Sequence, residues 1–213
     1  MIELRAIVFL NGDYTEQQVG SLMENDIVVA VDGGAKYLLK RRITPRIFVG
    51  DADSVEKSVL EELLKLGCEV YLYPEDKDEI DAQLAIERVL QLGVDEIIIR
   101  GWQGERLDMI LALIYLMHKY HDVKMIAKDD NLEMGVITGH VELDSVEGEK
   151  WSILPICGDA AGVTLEGFKY PLHKGSMPCH KPFGVSNVAI TSKVRITVEK
   201  GSVVYFRWIR QPS

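Results

Sequence analysis

The strongest constraint on the fold is the alternation of short β-rich runs with helical spacing through the first two-thirds of the chain. Ala6–Leu10, Ile27–Val31, Ile47–Val49, Val70–Tyr73, Glu96–Arg100 and Val123–Ala127 read as strands. Between two of them, Ala82, Ala85, Ile86, Val89 and Leu90 recur at the i, i+3, i+4, i+7, i+8 spacing of an amphipathic helix. Parallel strands need long crossovers and helices supply them, so this order predicts βαβ units in a mostly parallel α/β sheet. The strand exits read Asn11-Gly12, Asp32-Gly33-Gly34, Gly50-Asp51 and Gly101-Trp102. Polar and glycine residues thus gather at the sheet edge where open α/β proteins bind ligands.

From about Glu142 the pattern changes to short alternating segments, among them Trp151–Ile156, Gly162–Leu165 and Val203–Trp208. Turn signals such as Cys157-Gly158-Asp159 and Lys200-Gly201 separate them with no helix-length apolar pattern between, which predicts a compact all-β second domain.

Composition narrows the function. In a chain of 213 residues, a hydrophobic fraction of 47% supports a substantial core. A net charge of −9 argues against a nucleic-acid partner, which needs a basic surface to displace counterions. An acidic protein can still hold a triphosphate if a metal ion and local cations offset the repulsion. Cys68, Cys157 and Cys179 show no C-x-x-C spacing, as expected in a reducing compartment. Met1-Ile2-Glu3-Leu4-Arg5 lacks a basic stretch followed by an apolar one, so secretion is not expected. The longest apolar run, Met109 to Met117, is about half of the roughly 20 residues of a membrane helix. A cytoplasmic protein without a membrane partner is the expectation.

Gly50-Asp51-Ala52-Asp53-Ser54 follows directly on Ile47–Val49, so two carboxylates face the ligand edge. Such hard oxygens suit Mg²⁺, which is held through one or two carboxylates, waters and substrate phosphates. Asp78 and Asp81 fall in line with Ala82, Ala85 and Val89, the inward face of the predicted helix. The alternative is a solvated helix start with Asp78 as N-cap. Lys77 either meets a phosphate or forms a surface ion pair. Asp108 lies between Leu107 and the run from Met109, which predicts a buried carboxylate in need of a partner. Arg106 is two residues away, poor geometry for pairing along a helix, which favours a shared external ligand.

Gly101-Trp102-Gln103-Gly104 either admits an anion at the start of that helix or serves as a turn; neither a P-loop nor a G-x-G-x-x-G fingerprint is present. His118 and His121 read as structural residues at a helix end. Trp102, Trp151 and Trp208 are expected in packing roles. Cys179-His180 has metal-ligand residue types without further ligands at recognisable spacing.

Taken in order, five motifs resemble those of the thiamine pyrophosphokinase (thiamine diphosphokinase) family along essentially the whole chain. They are Asp32-Gly33-Gly34-Ala35, Gly50 to Ser54, Lys77-Asp78-Glu79-Ile80-Asp81, Gly104-Glu105-Arg106-Leu107-Asp108 and Gly184-Val185-Ser186-Asn187. The resemblance implies a Rossmann-like nucleotide-binding catalytic domain over residues 1–140 and a sandwich-like substrate and dimerisation domain over residues 141–213. It implies a homodimer that transfers pyrophosphate from Mg²⁺-ATP to the primary hydroxyl of thiamine, giving thiamine diphosphate and AMP. Carried over by motif, Asp51, Asp53, Asp78, Asp81 and Asp108 would surround Mg²⁺ and the phosphates or help activate the hydroxyl. Lys77 and Arg106 would stabilise phosphate charge, and Asp32, Gly33, Gly34, Ser54, Gly101, Gly104, Ser186 and Asn187 would contact nucleotide or substrate.

Four positions depart from the family pattern. Ile80 stands where the family often has Thr, Met109 where it has His, Leu113 where it has Asn, and Val188 where it often has Glu. The acids persist while polar partners are lost, which leaves two alternatives open. One is a diphosphokinase for another small hydroxylated heterocycle; the other is a nucleotide- or thiamine-binding homologue with little turnover.

Overall fold

In the computed structural model, which describes residues 4–14, 22–51 and 55–210, the chain divides into two units. The first comprises Met1–Leu113 and Val123–Asp129, and the second Ile114–Asp122 and Asp130–Ser213.

In the first unit the inner strands are runs that must be covered on both faces. All five residues of Ile27–Val31 are buried, and their β-branched side chains favour the extended backbone. The elements in order are β1 (Arg5–Phe9), β2 (Ile27–Val31), α1 (Gly34–Lys40), β3 (Ile47–Asp51), α2 (Lys57–Lys65), β4 (Glu69–Tyr73), α3 (Asp81–Leu90), β5 (Glu96–Arg100), α4 (Leu107–Lys119) and β6 (Lys124–Lys128). Residues of α4 from Ile114 onward group with the second unit.

The strands lie in the order β4-β3-β2-β1-β5-β6, and each neighbouring pair is parallel. The chain therefore builds outward from β1 through β4, then returns to place β5 on the other side of β1. That reversal separates the connections leaving β1 and β5 and opens a crevice at their carboxyl ends. Below it, Phe9, Leu38, Phe48 and Leu63 form a core between the sheet, α1 and α2. Each such side chain stabilises the fold by roughly 1.5–3 kcal/mol when fully buried. Ala85, Ile86 and Val89 are the buried residues of α3, as its spacing predicts.

The second unit contains β7 (Leu132–Ile137), β8 (His140–Asp144), β9 (Lys150–Glu166), β10 (Leu172–Met177), β11 (Asn187–Val188), β12 (Lys193–Thr197) and β13 (Lys200–Trp208). Its strands run antiparallel in the order β7-β13-β9-β12-β8, with β10 and β11 also pairing to β9. Over the whole chain the pairing is thus mixed, and the parallel arrangement expected from the sequence is confined to the first unit.

Trp151–Ile156 and Gly162–Leu165, expected as separate segments, are parts of the single 17-residue strand β9. The turn signal between them is a bend, with Cys157 at φ 55° and Gly158 at φ 128°. Before the bend β9 pairs with β13 and β11; after it, with β12 and β10, while β13 keeps one pairing, Lys200 opposite Ala161. Trp151 and Ile153 from the first part share one buried cluster with Val163 and Leu165 from the second. No helix among the described residues is long and apolar enough to cross a membrane.

Candidate active site

The crevice left by the strand reversal is shaped by backbone. The exit of β1 is held to the exit of β5 by hydrogen bonds from Leu10 N–H to the Arg100 carbonyl (2.9 Å), Gly12 N–H to the Gly101 carbonyl (2.9 Å) and Asp13 N–H to the Gln103 carbonyl (2.7 Å). Gly12 is required by this approach, because a Cβ there would stand 2.1 Å from the Gln103 carbonyl oxygen. The crevice holds a cavity of about 640 Å³. That volume falls within the usual range of small-molecule sites.

Three carboxylates from three parts of the sequence meet at its base. Asp32 follows β2, Asp51 ends β3 and Asp81 opens α3, and their carboxylate oxygens lie within 4.8 Å of one another. Asp32 sits at φ 46°, a left-handed conformation that Asp tolerates better than most residues. Its N–H donates to the Val49 carbonyl at 3.0 Å, which ties the end of β2 to β3. Gly50 leaves room for the Asp32 carboxylate, since a Cβ there would stand 2.7 Å from Oδ1.

This carboxylate is under electrostatic stress. Burial, then the neighbouring Asp81 and Asp51, push the Asp32 carboxyl up to about 7; Lys77 and the Asp51 N–H offset only part of that. Asp32 Oδ1 is buried without a hydrogen-bond partner. Lys77 Nζ lies 3.1 Å from Asp81 Oδ1, with the two side chains only 13% and 19% exposed. Lys77 is therefore held inside the crevice and is not a surface ion pair, yet it offsets only part of the upward push on Asp32. An all-oxygen donor set with an unmet buried oxygen, and a carboxyl pushed up by its carboxylate neighbours, fits a hard divalent cation such as Mg²⁺.

The residues expected from the sequence divide into five groups. Asp51, Asp81, Lys77, Gly101, Gly104 and Arg106 line the cavity together with Asp32. Asp32, expected to contact nucleotide, joins the acidic trio; its position after β2 is the same signal that marks Asp51 after β3. Gly33 and Gly34 support the crevice from behind, where a Cβ would strike Asn11 Oδ1 (1.8 Å) or the Phe9 carbonyl (2.1 Å). Asp53 and Ser54 lie outside the described residues.

Asp78 and Asp108 stand apart from this cluster. Asp78 is exposed, and the helix it was expected to open begins at Asp81, with extended Ile80 as its N-cap. Asp108 was expected to be buried and poorly placed for Arg106, and both points are corrected. Its side chain is 62% exposed, because the first part of α4 leaves Leu107, Met109 and Leu111 open to solvent. Arg106 precedes the helix, so its side chain can turn back and grip Asp108, Nε to Oδ1 at 2.9 Å and Nη2 to Oδ2 at 2.6 Å. That pairing holds the Asp108 carboxyl at about 2.

Sequence reasoning missed Glu75, Glu79 and Gln103 in the cavity wall. Glu75 and Glu79 flank Lys77 by two residues, a spacing that could have flagged them. Gln103 donates its amide to the buried Asp129, a contact far apart in sequence. Three of the four departures, Ile80, Met109 and Leu113, also line the cavity.

In the second unit Asn187 is buried, and its amide is committed to backbone. Its oxygen accepts from Tyr170 N–H (3.0 Å) and Val188 N–H (2.9 Å), while its Nδ2 donates to the Tyr170 carbonyl (2.8 Å). Ser186 is exposed at φ 58°, with its N–H donating to Ser152 Oγ at 3.2 Å.

Known proteins resemble both parts of the chain. A family model described as the thiamin pyrophosphokinase catalytic domain matches residues 20–127, and one described as the thiamin pyrophosphokinase vitamin B1 binding domain matches residues 138–203. A thiamine pyrophosphokinase of Bacillus subtilis (strain 168) is 30% identical over 193 residues, covering 86% of this chain and 88% of the relative. The crystal structure of thiamine pyrophosphokinase from Bacillus subtilis aligns with a TM-score of 0.86 at 25% identity, over 97% of this chain and 100% of that one. Yeast thiamin pyrophosphokinase shares the fold, with a TM-score of 0.80 at 14% identity over 99% of this chain and 87% of its own. With two family domains matched in order and a relative aligned along most of both lengths, the chain belongs to the thiamine pyrophosphokinase family.

Proposed function

We propose that this protein transfers the pyrophosphoryl group of Mg²⁺-ATP to the primary hydroxyl of thiamine, giving thiamine diphosphate and AMP. The observation that carries this reading is the convergence of Asp32, Asp51 and Asp81 around the inward-facing Lys77 at the strand reversal. Phosphoryl transfer depends chiefly on positioning and charge compensation, and this site offers both.

Asp32, Asp51 and Asp81 would hold the metal, which when bound offsets the charge of the polyphosphate. Lys77 brings an ammonium group to the cavity beside Asp81, where it can neutralise a phosphate oxygen. Arg106 engages Asp108 through Nε and Nη2, which orients the guanidinium and leaves Nη1 and the outer Nη2 hydrogen to donate to phosphate oxygens. We assign Asp53 to the same acidic site from its position beside Asp51 in sequence, whereas the exposed Asp78 stays outside it. Gly101, at φ 61°, makes room for the Tyr14 ring, and Gly104, also at positive φ, brings backbone to the cavity wall.

We read residues 1–140 as the Rossmann-like nucleotide-binding catalytic domain and residues 141–213 as a sandwich-like domain for substrate binding and homodimerisation, in a cytoplasmic enzyme. The vitamin B1 binding description of the second matched region supports the substrate role. There, Asn187 shapes the loop at Tyr170, and the exposed Ser186 is the group presented to a ligand.

The deciding experiment incubates purified protein with Mg²⁺-ATP and thiamine and measures AMP and thiamine diphosphate. Equal amounts of both support the proposal. Turnover only with another hydroxylated heterocycle would move the acceptor, and Ile80, Met109 and Leu113 in the cavity wall are where that change would arise. Tight ATP binding with no product from any acceptor would leave a binding protein.

A further inference from the structure

The second unit completes a ligand set that the sequence left unfinished. Cys179-His180 supplies a thiol and an imidazole, and the fold adds a carboxylate from 20 residues earlier. β10 runs antiparallel to the later part of β9, with Met177 opposite Ala160, so the turn after β10 returns over Asp159. The Cys179 N–H donates to Asp159 Oδ1 at 2.8 Å. One ligand atom from each of Asp159, Cys179 and His180 lies within 4.8 Å of the other two, and all three residues are exposed.

The frame behind these ligands is constrained. Asp159 follows the bend at Cys157 and Gly158, and a Cβ on Gly201 would stand 2.5 Å from the Asp159 carbonyl, so the start of β13 presses directly on this segment. The turn itself is closed by a hydrogen bond from Lys181 N–H to the Pro178 carbonyl at 3.0 Å. Carboxylate and turn are thus both positioned by backbone before any metal arrives.

We infer that Asp159, Cys179 and His180 form a three-ligand site for a borderline-soft divalent cation, with Zn²⁺ the preferred occupant. One sulfur, one nitrogen and one oxygen are the donors that zinc takes in tetrahedral sites, and a water completes the fourth position. Mg²⁺ prefers oxygen alone, which separates this site chemically from the carboxylate trio of the first unit. Binding exchanges the Cys179 S–H bond for an S–Zn bond and releases the proton to solvent, with no change in oxidation state. Thiolate and carboxylate together neutralise the metal charge. The bound ion would pin the turn after β10 to β9.

The test uses the full-length protein, reduced and stripped of metal, titrated with Co²⁺ as a spectroscopic substitute and then with Zn²⁺ in competition. Wild type should develop a thiolate-to-cobalt charge-transfer band that saturates at one ion per chain, is abolished by Zn²⁺, and persists in excess Mg²⁺. Cobalt held by oxygen ligands alone gives no such band, so Asp51→Asn should retain it. Cys179→Ser should abolish the band, and Asp159→Asn or His180→Ala should weaken cobalt binding by at least about tenfold. Zn²⁺ should raise the thermal midpoint of wild type but not of Cys179→Ser, whose circular dichroism without metal should match wild type. No band in wild type, a band that survives Cys179→Ser, or one lost in Cys157→Ser would each overturn the assignment.

Discussion

Asp32→Asn tests the electrostatic reading of the acidic crevice, because it removes one charge and changes almost nothing else. Asn is nearly isosteric and accepts the left-handed backbone at φ 46°. Its side-chain oxygen can still accept the Asp51 N–H. The native carboxyl is raised from 3.8 to about 7 by burial and by Asp81 and Asp51. At roughly 1.4 kcal/mol per pKa unit this difference corresponds to about 4 kcal/mol, and solvent screening at a part-buried site lowers it to on the order of 2 kcal/mol.

The sign follows from linkage. The folded state holds the Asp32 proton more tightly than the unfolded state, so ionised Asp32 opposes folding. That penalty is absent below pH about 4, grows as pH rises toward 7, and is constant above. Without divalent cations, Asp32→Asn should therefore be more stable than wild type by about 2 kcal/mol at pH 8 and by less than half that at pH 5. Mg²⁺ should reverse the order, since wild type gains about 2.7 kcal/mol at a hundredfold excess over its dissociation constant and the variant gains little. Urea unfolding at both pH values, with EDTA or Mg²⁺, measures all four quantities. A variant less stable than wild type at pH 8 in EDTA, or a difference independent of pH, would refute the reasoning.

Other perturbations probe the remaining parts. Asp51→Asn and Asp81→Asn should each lower thiamine diphosphate formation by about 10²–10³-fold while preserving the circular dichroism spectrum, and near-normal rates in both would remove the metal-site assignment. Lys77→Met should lower kcat/KM for ATP by on the order of tenfold or more, read from initial rates across ATP concentrations. Gly12→Ala should destabilise the protein by about 1–3 kcal/mol in urea titrations, because its Cβ would stand 2.1 Å from the Gln103 carbonyl. Leu113→Asn, at a buried position in the cavity wall, should shift the relative kcat/KM among hydroxylated acceptors; identical ratios would remove this residue from substrate selection.

The first unit was readable from sequence because its strands are nearly continuous apolar runs. Ile27–Val31 and Glu96–Arg100 have the observed limits, and Ala6–Leu10 differs from β1 by one residue. In the second unit the signal is weaker, since β8 alternates exposed and half-buried residues and β10 is mostly open to solvent. A bend at Cys157-Gly158 has the residue types of a turn, and only pairing on both sides of it reveals one strand.

For the site, position at a strand exit proved a better guide than apolar surroundings. Asp51 and Asp32 share that position and converge. Asp108 was misjudged because an apolar run was equated with burial, whereas the first turns of α4 face solvent. Gln103 and Asp159 were not legible, since their partners Asp129 and Cys179 are brought near by tertiary structure alone.

The length of β9 has a consequence for how the second unit opens. Its two parts have different neighbours but one backbone, so a one-residue slip before the bend would rotate every following side chain to the opposite face. Neither half can lose its register alone, since Trp151 and Leu165 belong to the same buried cluster. Amide exchange in β12, which pairs with the later part of β9, and in β13, which pairs mainly with the earlier part, should report one cooperative opening event. Insertions tolerated at the Thr138-Gly139 turn should be lethal to folding at Cys157-Gly158.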